Sequence, residues 1–544
     1  MKAIVILMDT LNRHMLKLYN PEAKAETPNI DRLARRCAVF DSHFIGSAPC
    51  MPARRDMYTG RLNFLERGWG GIEPYDVTLQ ETLRMNGIYS HISTDHTHYV
   101  ELGGEGYLQQ FDCWDIIRGQ EMDCWISRVN RPATPEPHYG KVNPQYCLNR
   151  TAFHTDADFP SPKTFASAVD FLQNNRDADN YFLMVEAFDP HEPFDTTEEF
   201  QSMYPDDYQG PHFDWPGYNK VKDETPEAIE HLKNCYCATL SMADRWLGKL
   251  LDELDAQDAW KDTMVILTSD HGHLLGEHNF IGKNRTHAYN EMAHIPLMVY
   301  HPDLPCAGRR ISALTQNIDI MPTLLEYFQC EKRVENAPAL HGKSWIPLLN
   351  GSQEKIRDYA IYGWFGMPVN ITDGRYTYFR SGVPQGNQPL YAYMSICSSL
   401  WRYLGRNCPE KLEMGRFLKY TKYPVYRMPV ETDDIEFTKD TLLFDLASDP
   451  GQLHPLQDPA VEEKMCHALC EMLIEHDSPD EQFIRLGLTD QKKGGTTRLE
   501  MSVGNIAKER LLPKKGGLPF CCGSVSSRTC WELLNHDRKC VTLS

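Results

Sequence analysis

The stretch Lys2-Ala3-Ile4-Val5-Ile6-Leu7-Met8-Asp9-Thr10 is an apolar run that ends abruptly on a carboxylate. A short run that is apolar at every position predicts a strand buried on both faces, the situation of a parallel sheet. Tyr181 to Phe188 repeats the pattern and leads into Asp189 and His191, and Met264 to Thr268 leads into Asp270 and His271. Helical segments separate these runs. Pro28 to Ala38 has Thr27 as N-cap and Pro28 at its first position, and Val77 to Asn86 is closed by Gly87. Lys163 to Asn174 and Ala228 to Leu254 carry apolar residues at three- and four-residue spacings. Strands alternating with helices predict an α/β fold, a large α/β/α domain with a mostly parallel central sheet. In such sheets ligands lie beyond the carboxyl ends of the strands, so three strand ends aim polar residues at one place.

The character changes near residue 350. Leu349-Asn350-Gly351-Ser352 reads as a linker, and the aromatic runs Tyr359–Trp364 and Tyr376–Phe379 predict a small antiparallel sheet. A helix follows over Ala460 to Glu475. The expected organisation is a catalytic domain over 1–350, an α+β subdomain over 351–480 and a tail over 481–544. From Lys492 onward that tail is rich in Gly, Lys and Cys and reads as irregular.

Lys plus Arg is 56 and Asp plus Glu 75, a formal charge of −19. That balance argues against a nucleic acid or an anionic membrane as partner, because phosphate binding rests on Lys/Arg neutralisation. No stretch approaches the roughly 18 apolar residues a membrane span needs, and no secretory leader is recognisable. The 17 cysteines are odd in number and lack a clean CxxC…CxxC spacing, even counting Cys235/Cys237, Cys521/Cys522, Cys530 and Cys540. A complete disulfide framework is therefore impossible, and a cytoplasmic location is the expectation. Nothing in the tail decides between a monomer and a homo-oligomer.

Cys50-Met51-Pro52-Ala53-Arg54, followed by Thr59-Gly60-Arg61, resembles the sulfatase signature C-x-P-x-R-x4-T-G-R. Further motifs recur in the family's order. Thr27-Pro28-Asn29-Ile30-Asp31-Arg32-Leu33-Ala34 resembles its TPN-DRLA helix, and Pro190-His191-Glu192-Pro193-Phe194 its P-H-x-P-F segment. Ser269-Asp270-His271-Gly272, with Leu275-Gly276-Glu277-His278 and Gly282-Lys283, resembles the SDHG…LGEH…GK block. Leu443-Phe444-Asp445-Leu446 with Asp449-Pro450 resembles an LYDL…DP element. The resemblance covers about residues 1–475 and extends to the formylglycine-dependent sulfatases of the alkaline phosphatase superfamily.

That resemblance implies that Cys50 is oxidised to formylglycine by a maturation enzyme and that its hydrate is the nucleophile. It implies a divalent metal, calcium with manganese or magnesium as alternatives, held by Asp9, Asp270, His271 and an oxygen of modified Cys50. Arg54 would keep the nucleophile's surroundings positive, Lys283 would contact a sulfate oxygen, and His191 would protonate the departing alcohol. The implied substrate is a small sulfate ester, with a sulfated sugar favoured.

Two departures matter. Many sulfatases carry two adjacent aspartates after the first strand, whereas this chain has Asp9-Thr10. The GKWHLG-like segment reads Ser93-Thr94-Asp95-His96-Thr97-His98-Tyr99 and lacks its lysine, so His96 or His98 is the candidate replacement at the substrate. Asp9 with the Asp270-His271 pair is also similar to phosphonate monoester hydrolases, which makes a phosphonate monoester or phosphodiester the rival substrate. A non-catalytic member that binds sulfated ligands is the rival of another class. Arg67-Gly68-Trp69-Gly70-Gly71, and Trp114 with Arg118-Gly119-Gln120-Glu121, are candidate sugar-binding segments, with Trp114 and Arg118 as contacts.

Overall fold

The computed structural model describes residues 1–491, apart from 383–385, 401, 405–410 and 431–438. The expected irregular tail from Lys492 and the cysteines at 521, 522, 530 and 540 lie outside the described residues.

Eight strands form the central sheet in the order Arg310–Gln316, Ala38–Phe44, Leu297–Tyr300, Thr263–Thr268, Lys2–Met8, Tyr181–Ala187, Tyr89–Thr94, Cys113–Ile116. Every pairing is parallel except the two made by Leu297–Tyr300. The run that opens the sequence is the middle of this sheet. Ile6 lies opposite Val185 on one side and Leu267 on the other, so the three strands end in step. Its side chains alternate between two cores, Ile4, Ile6 and Met8 to one face and Ala3, Val5 and Leu7 to the other. A strand covered by apolar layers on both faces must be apolar throughout, and this one is.

The first core is closed by the long helix Pro226–Ala256 and by Pro160–Asn174, which pack on each other. The helix read over Pro28 to Ala38 spans Pro28–Ala34 and stops early because Ala38 already begins a strand. Thr27 occupies its N-cap position without a side-chain capping bond. Asp244 on the long helix does the capping instead, accepting from the amides of Asn29 at 3.0 Å and Ile30 at 2.7 Å. A tertiary contact has replaced the local cap, which spacing alone cannot show.

A second sheet has the order Leu442–Asp445, Tyr376–Arg380, Val369–Thr372, Ala360–Trp364, Ser47–Ala48. Its last member comes from the N-terminal half. Ser47–Ala48 pairs in parallel with Gly363 and Trp364, immediately before the helix Cys50–Thr59. The helices Pro459–Glu475 and Asp480–Arg485 contribute Leu469, Leu473 and Phe483 to a cluster that also holds Leu62, Phe64 and Leu65. The small sheet therefore buttresses both ends of the Cys50 helix, every residue of which is buried.

Candidate active site

The three central strands deliver Asp9, Glu186 and Asp270 to the carboxyl edge of the sheet, where the buried helix Cys50–Thr59 brings Arg54 to meet them. All four side chains are inaccessible to solvent. Arg54 donates from Nη2 to Asp9 Oδ2 at 2.7 Å, from Nε to Glu186 Oε1 at 2.9 Å, and from Nη1 to Asp270. Nη1 also reaches the Cys50 carbonyl one turn back at 3.2 Å. Tyr99 Oη holds the far oxygen of Glu186 at 2.9 Å. The family resemblance gives Arg54 the task of keeping the nucleophile's surroundings positive; in the structure its charge is shared among Asp9, Glu186 and Asp270.

Asp270 Oδ1 accepts the amides of Thr10 at 3.0 Å and His271 at 2.8 Å, so Asp270 is the better stabilised anion of the pair. Burial first, and then the charge of Asp270, push Asp9 up from the ordinary aspartate value. Thr10 has a left-handed backbone with φ 63, bonds Asp9 Oδ1 through Oγ1 at 2.7 Å, and accepts from Lys283 Nζ at 3.2 Å. It supplies a hydrogen bond where a second carboxylate would add charge.

Cys50 Sγ lies 3.3 Å from His271 Nε2 and 3.8 Å from Lys283 Nζ. Asp9, Cys50, Asp270 and His271 each place a possible ligand atom within 4.8 Å of the others. His271 Nδ1 donates to the Gly272 carbonyl at 2.9 Å, which leaves the Nε2 lone pair facing the cluster. Burial lowers its pKa to about 4, so the ring is a neutral donor at physiological pH. Gly272 is required by close approach, since a Cβ there would stand 1.9 Å from the Glu291 carbonyl oxygen. The charge balance points the same way. Four buried carboxylates, Asp9, Glu186, Asp270 and Glu192, meet two lysine or arginine cations among the described residues, Arg54 and Lys283, so the site holds an excess of acidic groups. A hard divalent cation on oxygen ligands with one imidazole fits that excess and that donor set. Burial, then the charge of Asp9, raises the Cys50 thiol well above its usual value, and a protonated thiol is a poor nucleophile.

Above the cluster opens a cavity of about 350 Å³. Cys50, Lys283, His191 and His98 line it together with Trp69, Trp215, Tyr218, Glu121 and Lys141. His191 Nδ1 donates to the Glu192 carbonyl at 2.6 Å and its ring stacks on Phe188, leaving Nε2 for chemistry. Burial, then Lys283, lowers its pKa well below the normal range, so the resting ring is neutral. His98 has its two ring nitrogens at two carboxylates, Nδ1 at 2.7 Å from Glu101 and Nε2 at 3.2 Å from Glu121. Burial opposes its charge, but the two glutamates win and raise its pKa to about 9. His98 is thus the cationic histidine of the cavity. His96 is not in the lining; it is packed among His98, Tyr99 and Phe188 with neither ring nitrogen hydrogen-bonded, and burial keeps it neutral. Trp114 and Arg118 also stand apart from the cavity. Trp114 lies on the sheet's edge strand, and Arg118 is held bidentately by Asp123. Of the two candidate sugar-binding segments, Trp69 and Glu121 are the residues that reach the cavity.

Glu186, Glu192 and Lys141 were not singled out from sequence. Glu186 had a visible signal, the one charged residue inside the apolar strand Tyr181–Ala187. Lys141 lies in a segment with no periodicity to read.

A mostly parallel sheet with a buried polar cluster at its carboxyl edge, and a small antiparallel sheet beside it, is the architecture of the alkaline phosphatase superfamily. A sulfatase family model matches residues 2–330, and the chain belongs to the sulfatase family, an enzyme of the sulfuric ester hydrolase class. It is similar to choline-sulfatase of Rhizobium meliloti, 25% identical over 420 residues, which cover 69% of this chain and 77% of that protein. Among solved structures, the phosphonate monoester hydrolase of Agrobacterium radiobacter aligns with TM-score 0.62 and 20% identity over 87% of this chain and 96% of that one. A protein solved in complex with its substrate D-glucosamine-2-N,6-O-disulfate aligns with TM-score 0.61 and 16% identity, over 88% and 98% of the two chains.

Two outcomes follow from the charges. Arg54→Ala leaves buried carboxylates without their cation and is expected to cost about 3–5 kcal/mol in urea unfolding. His98 contributes stability that is complete below its unfolded value of 6.5 and is lost as pH rises through about 9. The stability difference between the native protein and Glu121→Gln should therefore be largest below pH 6.5 and shrink toward alkaline pH, read from unfolding curves across that range.

Proposed function

We propose that the protein hydrolyses the sulfate ester of a small molecule, a sulfated sugar, with a formylglycine made from Cys50 as nucleophile. The observation that carries this reading is the convergence of Asp9, Cys50, Asp270 and His271 on one point beneath a cavity that also presents Lys283 and His191. Asp9, Asp270, His271 and a residue-50 oxygen would hold the divalent cation, calcium first and manganese or magnesium as alternatives. When bound, the cation supplies positive charge that favours an ionised hydroxyl at residue 50 and draws in the sulfate oxygens. A formylglycine hydrate supplies two hydroxyls on one carbon, one to bond sulfur and one to lose its proton and release sulfate. Here Cys50 Sγ stands in for the oxygen that would join the ligand set.

The chain's own residues do the rest. Arg54 fixes Asp9 and Asp270 in place, and so sets the geometry of the ligand set. Lys283 places an ammonium 3.8 Å from Cys50 Sγ, where it neutralises a sulfate oxygen and the charge developing toward the leaving group. His191 Nε2 faces the departing oxygen, accepting a proton from solvent before giving it to the alcohol. His98 stands at the cavity wall in the segment where the family carries its lysine, a cation whose two ring nitrogens are engaged by Glu101 and Glu121. Trp69, Trp215 and Tyr218 offer apolar faces to a sugar ring. The iduronate 2-sulfatase among its relatives, and the neighbour solved with a glucosamine disulfate, support a carbohydrate ester. We place the protein in the cytoplasm, a reading supported by the odd count of 17 cysteines and by Cys37, Cys306 and Cys330, which form no disulfide among the described residues. No helix among those residues is long and apolar enough to cross a membrane.

A second reading, phosphonate monoester or phosphodiester hydrolysis, is favoured by Thr10 in place of a second carboxylate and by the Asp270-His271 pair. Paired assays with p-nitrophenyl sulfate and p-nitrophenyl phenylphosphonate separate the two. The sulfatase reading expects the higher kcat/KM on the sulfate and a loss of roughly 10³-fold or more in Cys50→Ala. A higher kcat/KM on the phosphonate would transfer the assignment to the second reading.

A further inference from the structure

The cavity presents two ammonium groups, and only one is occupied by the reaction just described. Lys283 belongs to the floor, bonded to Thr10 Oγ1 at 3.2 Å and paired with Glu192 Oε1 at 3.6 Å. Lys141 stands on the wall. Its Nζ is 3.5 Å from the centre of the Tyr218 ring, and Lys283 Nζ is 5.9 Å from the same ring. Both ammonium groups thus lie near one aromatic ring of the cavity lining. Among the described residues Lys141 makes no ion pair with a carboxylate.

The position of Lys141 is built by the backbone. Its amide donates to the Trp215 carbonyl at 2.7 Å. The preceding residue, Gly140, has φ +65, and a Cβ there would stand 2.1 Å from that same carbonyl oxygen. A side chain at 140 would push the strand of chain away from Trp215 and carry Lys141 off Tyr218. The segment therefore holds an ammonium that keeps contact with solvent while the cavity wall crowds it, against the Tyr218 ring and within electrostatic reach of Lys283. Burial, with Lys283 and Arg285, lowers its pKa, while Glu192 and Glu121 oppose them. A neutral sugar entering this cavity would strip water from Lys141 and return nothing for it. An anionic substituent would return a charge-assisted hydrogen bond.

Resting on the sulfate-ester reading, we propose that Lys141 binds a second anionic group, a sulfate or a carboxylate, on the same substrate whose scissile sulfate lies at Cys50 and Lys283. The substrate class is then a doubly anionic sugar. Trp69, Trp215 and Tyr218 flank its ring, and the two lysines read its two charges.

The experiment measures inhibition constants against p-nitrophenyl sulfate turnover for two matched pairs. Glucosamine 6-sulfate is compared with glucosamine 2-N,6-O-disulfate, and glucose 2-sulfate with glucuronic acid 2-sulfate. The native enzyme should prefer the doubly anionic member of one pair by about tenfold or more, the first pair reporting a sulfate and the second a carboxylate. Lys141→Met should erase that preference, losing about tenfold more on the doubly anionic ligand than on its partner. Lys141→Arg, which keeps the charge, should retain most of it. The proposal is overturned if the native enzyme shows no preference in either pair, or if Lys141→Met weakens both members equally. Failure of the native enzyme to hydrolyse p-nitrophenyl sulfate would instead strike the hydrolase reading. Calorimetric binding of the same four sugars then still reads the Lys141 preference.

Discussion

Arg54 is the residue on which the site depends. A guanidinium with no solvent contact is tolerable only where its donors are met, and here Asp9, Glu186 and Asp270 meet them from three neighbouring strands. Those carboxylates would repel one another without it, and their burial is costly in its own right. The arrangement fixes the relative position of the three strand ends and of the helix that begins at Cys50. Since the carboxylates outnumber the cations, the same arrangement leaves room for a divalent ion. Stability and metal affinity are thereby tied to one set of contacts.

The fold supplies this set economically. Lys2–Met8, Tyr181–Ala187 and Thr263–Thr268 run side by side and in step, so residues just beyond them fall close together. The Cys50 helix is pinned from the other direction. Ser47–Ala48 is a strand of the small sheet, and Asp56 accepts from Ser47 Oγ at 2.8 Å and from the Asn63 amide at 3.0 Å. The nucleophile position is thus clamped between two sheets, and an apparently separate C-terminal region takes part in placing it. Tyr236 on the long helix donates to the Thr10 carbonyl at 2.9 Å and steadies the loop after the first strand.

The sheet and the strand-end residues were legible because burial on both faces forces an unbroken apolar run, and a carboxylate ends it conspicuously. Asp9, Cys50, Asp270, His271 and Lys283 converge from sequence separations that only the order of motifs could suggest. What remained hidden depends on partners. His98 is cationic because Glu101 and Glu121 approach its two nitrogens, whereas His96, two residues earlier, is buried without partners and neutral. The same residue type is therefore charged at one position and neutral two residues away. Trp114 and Arg118 read as sugar contacts by composition, yet an edge strand and Asp123 account for them. Asp244, which caps a helix more than 200 residues away in sequence, gave no local sign of that role.

The central claim is that residue 50 is not used as a thiol. Peptide mass spectrometry across Cys50, on protein made together with its maturation enzyme, tests it directly. Conversion to formylglycine lowers the residue mass by about 18 Da, whereas ordinary cysteine oxidation raises it. A peptide carrying that loss, and reacting with a hydrazide as an aldehyde, is the predicted result. An unmodified thiol at Cys50 in protein made with a competent maturation system would contradict the account and leave the cavity a binding site for sulfated ligands.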